Sequence, residues 1–467
     1  MKTLNKKHKV FTIIMILVCM SVFTSCWDNL NGRALKADEE APAIRLNASS
    51  SISYNTITIH WTEPNVSTYT GMTVSCTNIT TPPIQSKGTT SYIFSSGISP
   101  STEYTITLTA HYSTGYNIES LSFKLTTLPS GASAQTIYLI YTSAELAVIY
   151  PGHDYDYCIL MNDLDLSEYS SGEGWPPFTS FHGTFDGQNY TIRNLTVHSS
   201  TSYKGLFGKT NIASTIKNLN LRSINISGTS YVGGLVGDGN GSIINCTSSG
   251  SVSGTMDNIG GLVGSSSGTM TNCSSSCTVT GRNNVGGLVG DNASAISYCR
   301  ASGTVSGTDF IGGLVGFSGS SISFSYASGN VSGHDYIGGL LGYNDNSCIV
   351  GNCYATGNVT GTGDNIGGLL GYSQAGNESY CYAIGHVYYD VASSNVGGLI
   401  GSGGNHISCY YNTTTTGQSG NVLGITGLSD SVMKNPASYL GWGIPSATWG
   451  HNATKNNGYP YLIGLEP

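Results

Sequence analysis

At 467 residues the chain has room for two or three domains, yet only 9% of it is charged and Gly fills 63 positions. A formal net charge of −8 excludes the basic footprint that nucleic acid demands, and 39% hydrophobic residues with 30 Tyr exclude a charge-rich disordered chain. Abundant Gly, Ser, Thr and Asn beside many β-branched residues predict an all-β, turn-rich molecule.

The first element is an export signal over residues 1–25. Lys2, Lys6, Lys7 and Lys9 precede the apolar run Val10 to Val22, which is short for a membrane span. The run ends in Phe23-Thr24-Ser25-Cys26, which resembles a bacterial lipoprotein signal. That resemblance implies lipidation at Cys26, a membrane anchor, and a location at the bacterial outer membrane or cell surface. Removing residues 1–25 takes away four Lys and no acid, leaving a formal −12. Residues 26–42, with "KADEE", read as a polar tether.

Residues 43–128 alternate with period two in Thr56–Trp61, Thr90–Phe94, Glu103–Tyr112 and Ser120–Thr127, the pattern of a small antiparallel sandwich. Ile98, Pro100, Thr102 and Tyr104 lead into the third run and resemble the fibronectin type III pattern. The resemblance implies a core role for Trp61 and a tyrosine corner for Tyr104. No Arg-Gly-Asp occurs in the chain.

Residues 136–412 are repetitive. The Leu of each Gly-Gly-Leu falls at 235, 262, 288, 314, 340, 369 and 399. Three places earlier stand Val232, Ile259, Val285, Ile311, Ile337, Ile366 and Val396. Another column holds Cys246, Cys273, Cys299, Ser325, Cys353, Cys381 and Cys409. Each unit is too short to close a sandwich and too Gly-rich for a helical hairpin. Successive units therefore stack, as parallel strands about 4.8 Å apart. The prediction is a right-handed parallel β-helix of coils of 26–30 residues, roughly 40 Å long at eight or nine coils.

"IGGLVG", "VGGLVG" and "IGGLLG" resemble the GLUG motif of bacterial surface proteins. The lead-ins Leu160–Leu166, His182–Leu195 and Ser214–Leu221 also resemble that family, as does the ending Asn456–Leu462 with Trp449 upstream. Residues 413–467 are then a C-terminal cap. The resemblance implies architecture more than activity.

The twelve Cys never form CxxC, so paired zinc ligands are unsupported, and the Cys column reads as small buried side chains. Five places before each Leu stand Ser230, Asp257, Asn283, Asp309, Asp335, Asp364 and Ser394. Such residues fold onto local backbone before a strand; as a sharper alternative, Asp257, Asp309, Asp335 and Asp364 are calcium candidates. No other cofactor is implied. A uronate lyase needs cations, but between Tyr231 and Tyr410 there are only Arg282 and Arg300 and no Lys. The acids recur singly instead of gathering as a hydrolase requires, and HExxH and GxSxG are absent. No catalytic residue is therefore assigned.

Tyr326, Tyr354, Tyr382 and Tyr410 form a column that is either a ligand-binding stripe or a stacking ladder. The reading that results is a lipid-anchored, non-enzymatic adhesin or binding protein for a glycan or an extracellular protein. One alternative is a carbohydrate-active enzyme using Asp163, Asp165, Asp186 and Trp175. The other is a spacer without ligand.

Overall fold

The computed structural model describes residues 44–46, 50–113, 119–149, 153–154, 156–345, 348–419 and 424–465. The export signal, Cys26 and the tether lie outside the described residues. Among the described residues no helix is long and apolar enough to cross a membrane.

The first domain is the expected sandwich. Gln85–Ser86, Tyr69–Cys76, Glu103–Tyr112 and Glu119–Thr126 form one antiparallel sheet, and Ile57–Thr62 pairs with Arg45–Leu46, Ser51–Ile52 and Ser91–Phe94 in the other. Alternation decides which side chains fill the space between: Ile57, Ile59 and Trp61 point in, as do Tyr104, Ile106, Leu108 and Ala110. The tyrosine corner is present. The Tyr104 hydroxyl donates to the Gly97 carbonyl at 3.2 Å and accepts from the Ser99 N–H at 2.9 Å.

No free linker separates this domain from the repeats. The strand Gln135–Ile140 runs antiparallel to Ser51–Ile52 of the sandwich and parallel to Tyr157–Leu160 of the first coil. Its Ile137 and Leu139 join the sandwich core, whereas Ile140 joins the solenoid core. Lys217 fastens the junction: its ammonium lies 3.2 Å from Asp186, donates to Thr126 at 2.8 Å and sits 5.5 Å over the Tyr157 ring.

Beyond it the repeats stack as a parallel β-solenoid. Val232, Ile259, Val285 and Ile311 stand opposite one another in successive coils, followed by Ile337, Ile366 and Val396. Three sheets wrap one continuous apolar core: one of 7 strands, one of 17, and a third that continues into the sandwich as a sheet of 21. Gly-Gly is a steric requirement. A Cβ on Gly312 would strike the Val315 carbonyl of the same corner, and one on Gly313 the Gly339 carbonyl of the next coil.

Two corner columns hold positive φ without Gly. One contains Tyr231, Asn258, Asn284, Phe310, Tyr336, Asn365 and Asn395; the other contains Asn245, Asn272, Tyr298, Phe324, Asn352, Tyr380 and Ser408. Asn tolerates this left-handed conformation, and its amides also bond coil to coil. Asn245 donates to Asn218 at 2.9 Å and Asn272 to Asn245 at 3.2 Å. Where an aromatic ring replaces Asn, stacking replaces the amide bond, as between Tyr298 and Phe324 at 5.0 Å.

The Cys column follows the second corner and is buried throughout. Each side chain donates to the carbonyl two residues back: Cys246 to Ile244 at 3.4 Å, Cys299 to Ser297 at 3.2 Å and Cys381 to Ser379 at 3.2 Å. Ser325 does the same to Ser323 at 2.7 Å. The column selects a small side chain with a donor, which explains why Ser substitutes for Cys and an aliphatic residue does not.

Candidate functional site

The Tyr column was expected to be either stripe or ladder, and the structure makes it a covered ladder. Tyr326, Tyr354 and Tyr382 stack at 4.7 and 5.0 Å with interplanar angles of 4° and 0°. Their exposures are 4%, 0% and 0%, with 6% at Tyr410, because the C-terminal segment lies over them. Covered in this way, the four rings present no face to a ligand.

The covering segment does more than close the end of the solenoid. Ile425–Leu428 adds one parallel strand to Cys409–Asn412, and residues 430–465 then run back across the outer face. Trp442 donates to the Ser408 carbonyl and Trp449 to the Asn352 side chain, at 3.0 and 3.1 Å. The Tyr382 hydroxyl donates to the Pro460 carbonyl at 2.6 Å. The expected cap is a strap.

The acidic column is chiefly a hydrogen-bond ladder. The Asp309 carboxylate accepts the Asp335 N–H at 3.2 Å, Asp335 accepts that of Asp364 at 2.6 Å, and Asp364 accepts that of Ser394 at 2.7 Å. This last bond, before any other influence, holds the Asp364 carboxyl below its ordinary value. Asp257 is instead gripped by Arg282 through two bonds of 3.0 and 2.9 Å. The four calcium candidates are thus not brought together. Among the described residues one metal-capable group converges, Asp309, His334 and Asp335, with ligand atoms within 4.8 Å of one another. Each of its carboxylates accepts one N–H through Oδ1, and its third member is an imidazole nitrogen, which calcium's shell of six to eight oxygens disfavours.

The lead-in acids hold backbone and cations. Asp163 accepts from the Thr191 N–H at 2.8 Å. Asp165 accepts from Asn194, Ser167 and Arg193 at 2.9–3.0 Å, and these bonds, that of Asn194 foremost, keep its carboxyl well below the usual range. Asp186 is buried at 2% against Lys217. Trp175, 1% exposed, meets Tyr169 and Phe178 edge-on and offers no face to a sugar.

An outer face that stays open was missed by sequence reasoning. The third residue after each Gly-Gly-Leu leucine forms the outward column Asp238, Ser265, Asp291, Phe317, Tyr343, Tyr372 and Ser402. Beside it runs the first corner column, so that Phe310 and Tyr336 meet Tyr343, and Tyr336 also meets Tyr372, across the corner between two sheets. Phe310 and Tyr336 stack at 4.9 Å, and Phe317 and Tyr343 at 5.3 Å. Tyr343 meets Phe310 and Tyr336 edge-on at 5.5 and 5.6 Å, and lies 5.2 Å from Tyr372. All five rings are half-buried. Gln374 accepts from the Tyr343 hydroxyl at 2.9 Å, and Ser402 donates to Asn365 at 2.8 Å. Asp291 stands opposite Phe317 in the preceding coil, and burial, then the neighbouring Asp238, pushes its carboxyl upward. The signal lay in the places four before and three after each Leu, where Asn, Ser and Asp give way to Phe and Tyr over a few coils.

Fold and motifs together define a fibronectin type III domain fused to a GLUG-repeat β-solenoid. Residues 40–127 match the fibronectin type III domain, and residues 228–253, 281–306 and 333–360 match the GLUG motif. Over 96 residues the chain is 38% identical to halomucin of Haloquadratum walsbyi, covering 19% of this chain and 1% of that protein. Over 125 residues it is 37% identical to a protein of Evansella cellulosilytica named as a Gly-rich membrane protein, covering 23% of this chain and 14% of the relative. The chain thus spans a small part of the curated relatives it matches. Among solved structures, an IgA1 protease aligns with 80% of this chain and 29% of its own at 16% identity and a TM-score of 0.38.

Proposed function

We propose that this protein is a non-enzymatic, cell-surface binding protein, tethered by lipid at Cys26, that takes a glycan on the face formed by Phe310, Phe317, Tyr336, Tyr343 and Tyr372. The observation that carries the reading is that five half-exposed rings gather on a rigid, otherwise polar wall. Aromatic faces stack on the apolar C–H faces of sugar rings, while flanking amides and carboxylates exchange hydrogen bonds with hydroxyls. Rings fixed by mutual stacking lose little entropy on binding. Association without turnover is supported by the lead-in acids, since Asp163, Asp165 and Asp186 are each committed to backbone or cation partners. A surface location is supported by the membrane protein named among the relatives.

The test is a glycan array probed with the full chain and with Tyr343→Ala and Tyr336→Ala. A specific glycan signal that falls at least about tenfold in both variants is the expected result, about 1.4 kcal/mol of lost stacking. Equal binding by the variants would remove the site, and a blank array with folded protein would remove the glycan reading.

A further inference from the structure

We infer that a second binding site, for an acidic glycan strand, lies on a different sheet, in an open cleft of about 310 Å³ between Arg222 and Arg300. Thr247, Ser249, Ser276 and Ser302 line its floor, with no carboxylate among its walls. Both guanidiniums are exposed, and among the described residues neither has an ion-pair or side-chain hydrogen-bond partner. The contrast with the other two Arg of the solenoid is direct: Arg193 is held by Asp165 at 3.0 Å and Arg282 by Asp257 at 2.9 Å. On an acidic protein, two unpaired Arg that share one hydroxyl-lined cleft are placed for a ligand's anionic groups.

Position narrows the ligand further. Thr247, Ser274, Arg300 and Tyr326 occupy one outward column in successive coils. The strap covers Tyr326 and stops, so the cleft is the uncovered continuation of the same face. Leu221 stands opposite Ser248, which places Arg222 three coils before Arg300, about 14 Å along the axis at ordinary strand spacing. A small anion satisfies one Arg; a strand with recurring acidic groups satisfies both. The floor offers hydroxyls and no apolar pocket, which suits sugar hydroxyls better than peptide side chains. The shared chemistry is a carboxylate or sulfate carried on a polysaccharide.

The site is independent of the aromatic face, and its test is separable. The full chain is measured against polygalacturonate, heparin, neutral dextran and poly-glutamate at several salt concentrations. Binding to polygalacturonate or heparin that weakens with salt is expected; capture by polygalacturonate shows that carboxylate suffices, and capture by heparin alone shows that sulfate is required. Arg222→Gln and Arg300→Gln each lower affinity about tenfold or more, as loss of a charged hydrogen bond does, and the double variant lowers it further. Arg282→Gln and Tyr343→Ala leave it unchanged. Because both cleft Arg are exposed and unpaired, thermal melts of the variants match the parent. No binding to either acidic glycan, equal affinity in the double variant, or equal capture by poly-glutamate overturns the proposal.

Discussion

Two aromatic columns on this solenoid have the same chemistry and opposite fates. Tyr326, Tyr354, Tyr382 and Tyr410 stack in register and are sealed beneath Tyr439, Trp442, Trp449 and Tyr459. Phe317, Tyr343 and Tyr372 also stack in register, with Phe310 and Tyr336 against them, and stay half-open. Stacking at the coil repeat is common to both, so it says nothing about exposure. The difference is made by a segment that belongs to no repeat. An aromatic ladder becomes structural when another part of the chain has matching rings and donors to lay on it, and remains available when none does.

The largest effect comes from breaking the covered ladder. Tyr382→Ala removes a fully buried ring together with the hydroxyl that donates to the Pro460 carbonyl and accepts from the Asn456 amide, so a loss of about 3–5 kcal/mol is expected. Urea denaturation followed through the fluorescence of Trp442 and Trp449 measures it. Tyr343→Ala, in the open cluster, loses only partial burial and ring contacts and should cost about 1 kcal/mol. Similar midpoints for the two variants would mean that the strap does not seal the ladder.

A smaller effect, below about 1 kcal/mol because the pair is partly exposed, concerns how the strap is pinned. The Lys434 ammonium at 2.8 Å, then the Tyr459 hydroxyl, hold the Asp430 carboxyl below its ordinary value. A carboxyl lowered in the folded state stabilises fully above the unfolded value near 4, and that contribution is lost as pH falls through the lower folded value. Between pH 5 and pH 2 the tryptophan signal of the strap should therefore loosen in the parent. Asp430→Asn should be weaker at pH 7 and flatter across this window. An unchanged acid profile in Asp430→Asn would assign the loosening to other carboxyls.

Much of the architecture was legible because it repeats. Ile311 and Ile337 are spaced by one coil, and spacing alone put them in one buried row. Tyr104 announced its corner through local sequence, since its hydroxyl reaches only seven residues back. The acidic places before each strand read correctly as groups that hold backbone, although the bonded N–H belongs to the next coil. What the spacing did not state is that Asp309, Asp335 and Asp364 each accept an N–H of the following coil, whereas Asp257 is taken by Arg282. The open aromatic face escaped notice because its two columns lie seven residues apart in sequence, on opposite sides of a Gly-Gly corner, and only the turn and the stacking of coils bring Phe310 to Tyr343. The junction escaped because a strand serving two sheets, Gln135–Ile140, has no signature beyond ordinary alternation.

The sequence by itself determined the sandwich, the solenoid, its interior rows and the places where Gly, Asn or a small donor must stand. Each of these follows from sterics and hydrogen bonding within one coil or between identical neighbours, and a periodic sequence states such contacts many times over. Only the tertiary structure decided which outer rows meet solvent, that Lys217 locks the sandwich to the coils, and that the strap closes one tyrosine row while leaving the Arg222–Arg300 cleft and the Tyr343 face open. Those outcomes depend on single, long-range contacts between unlike segments, such as Tyr382 with Pro460 and Trp449 with Asn352, which no repeat encodes.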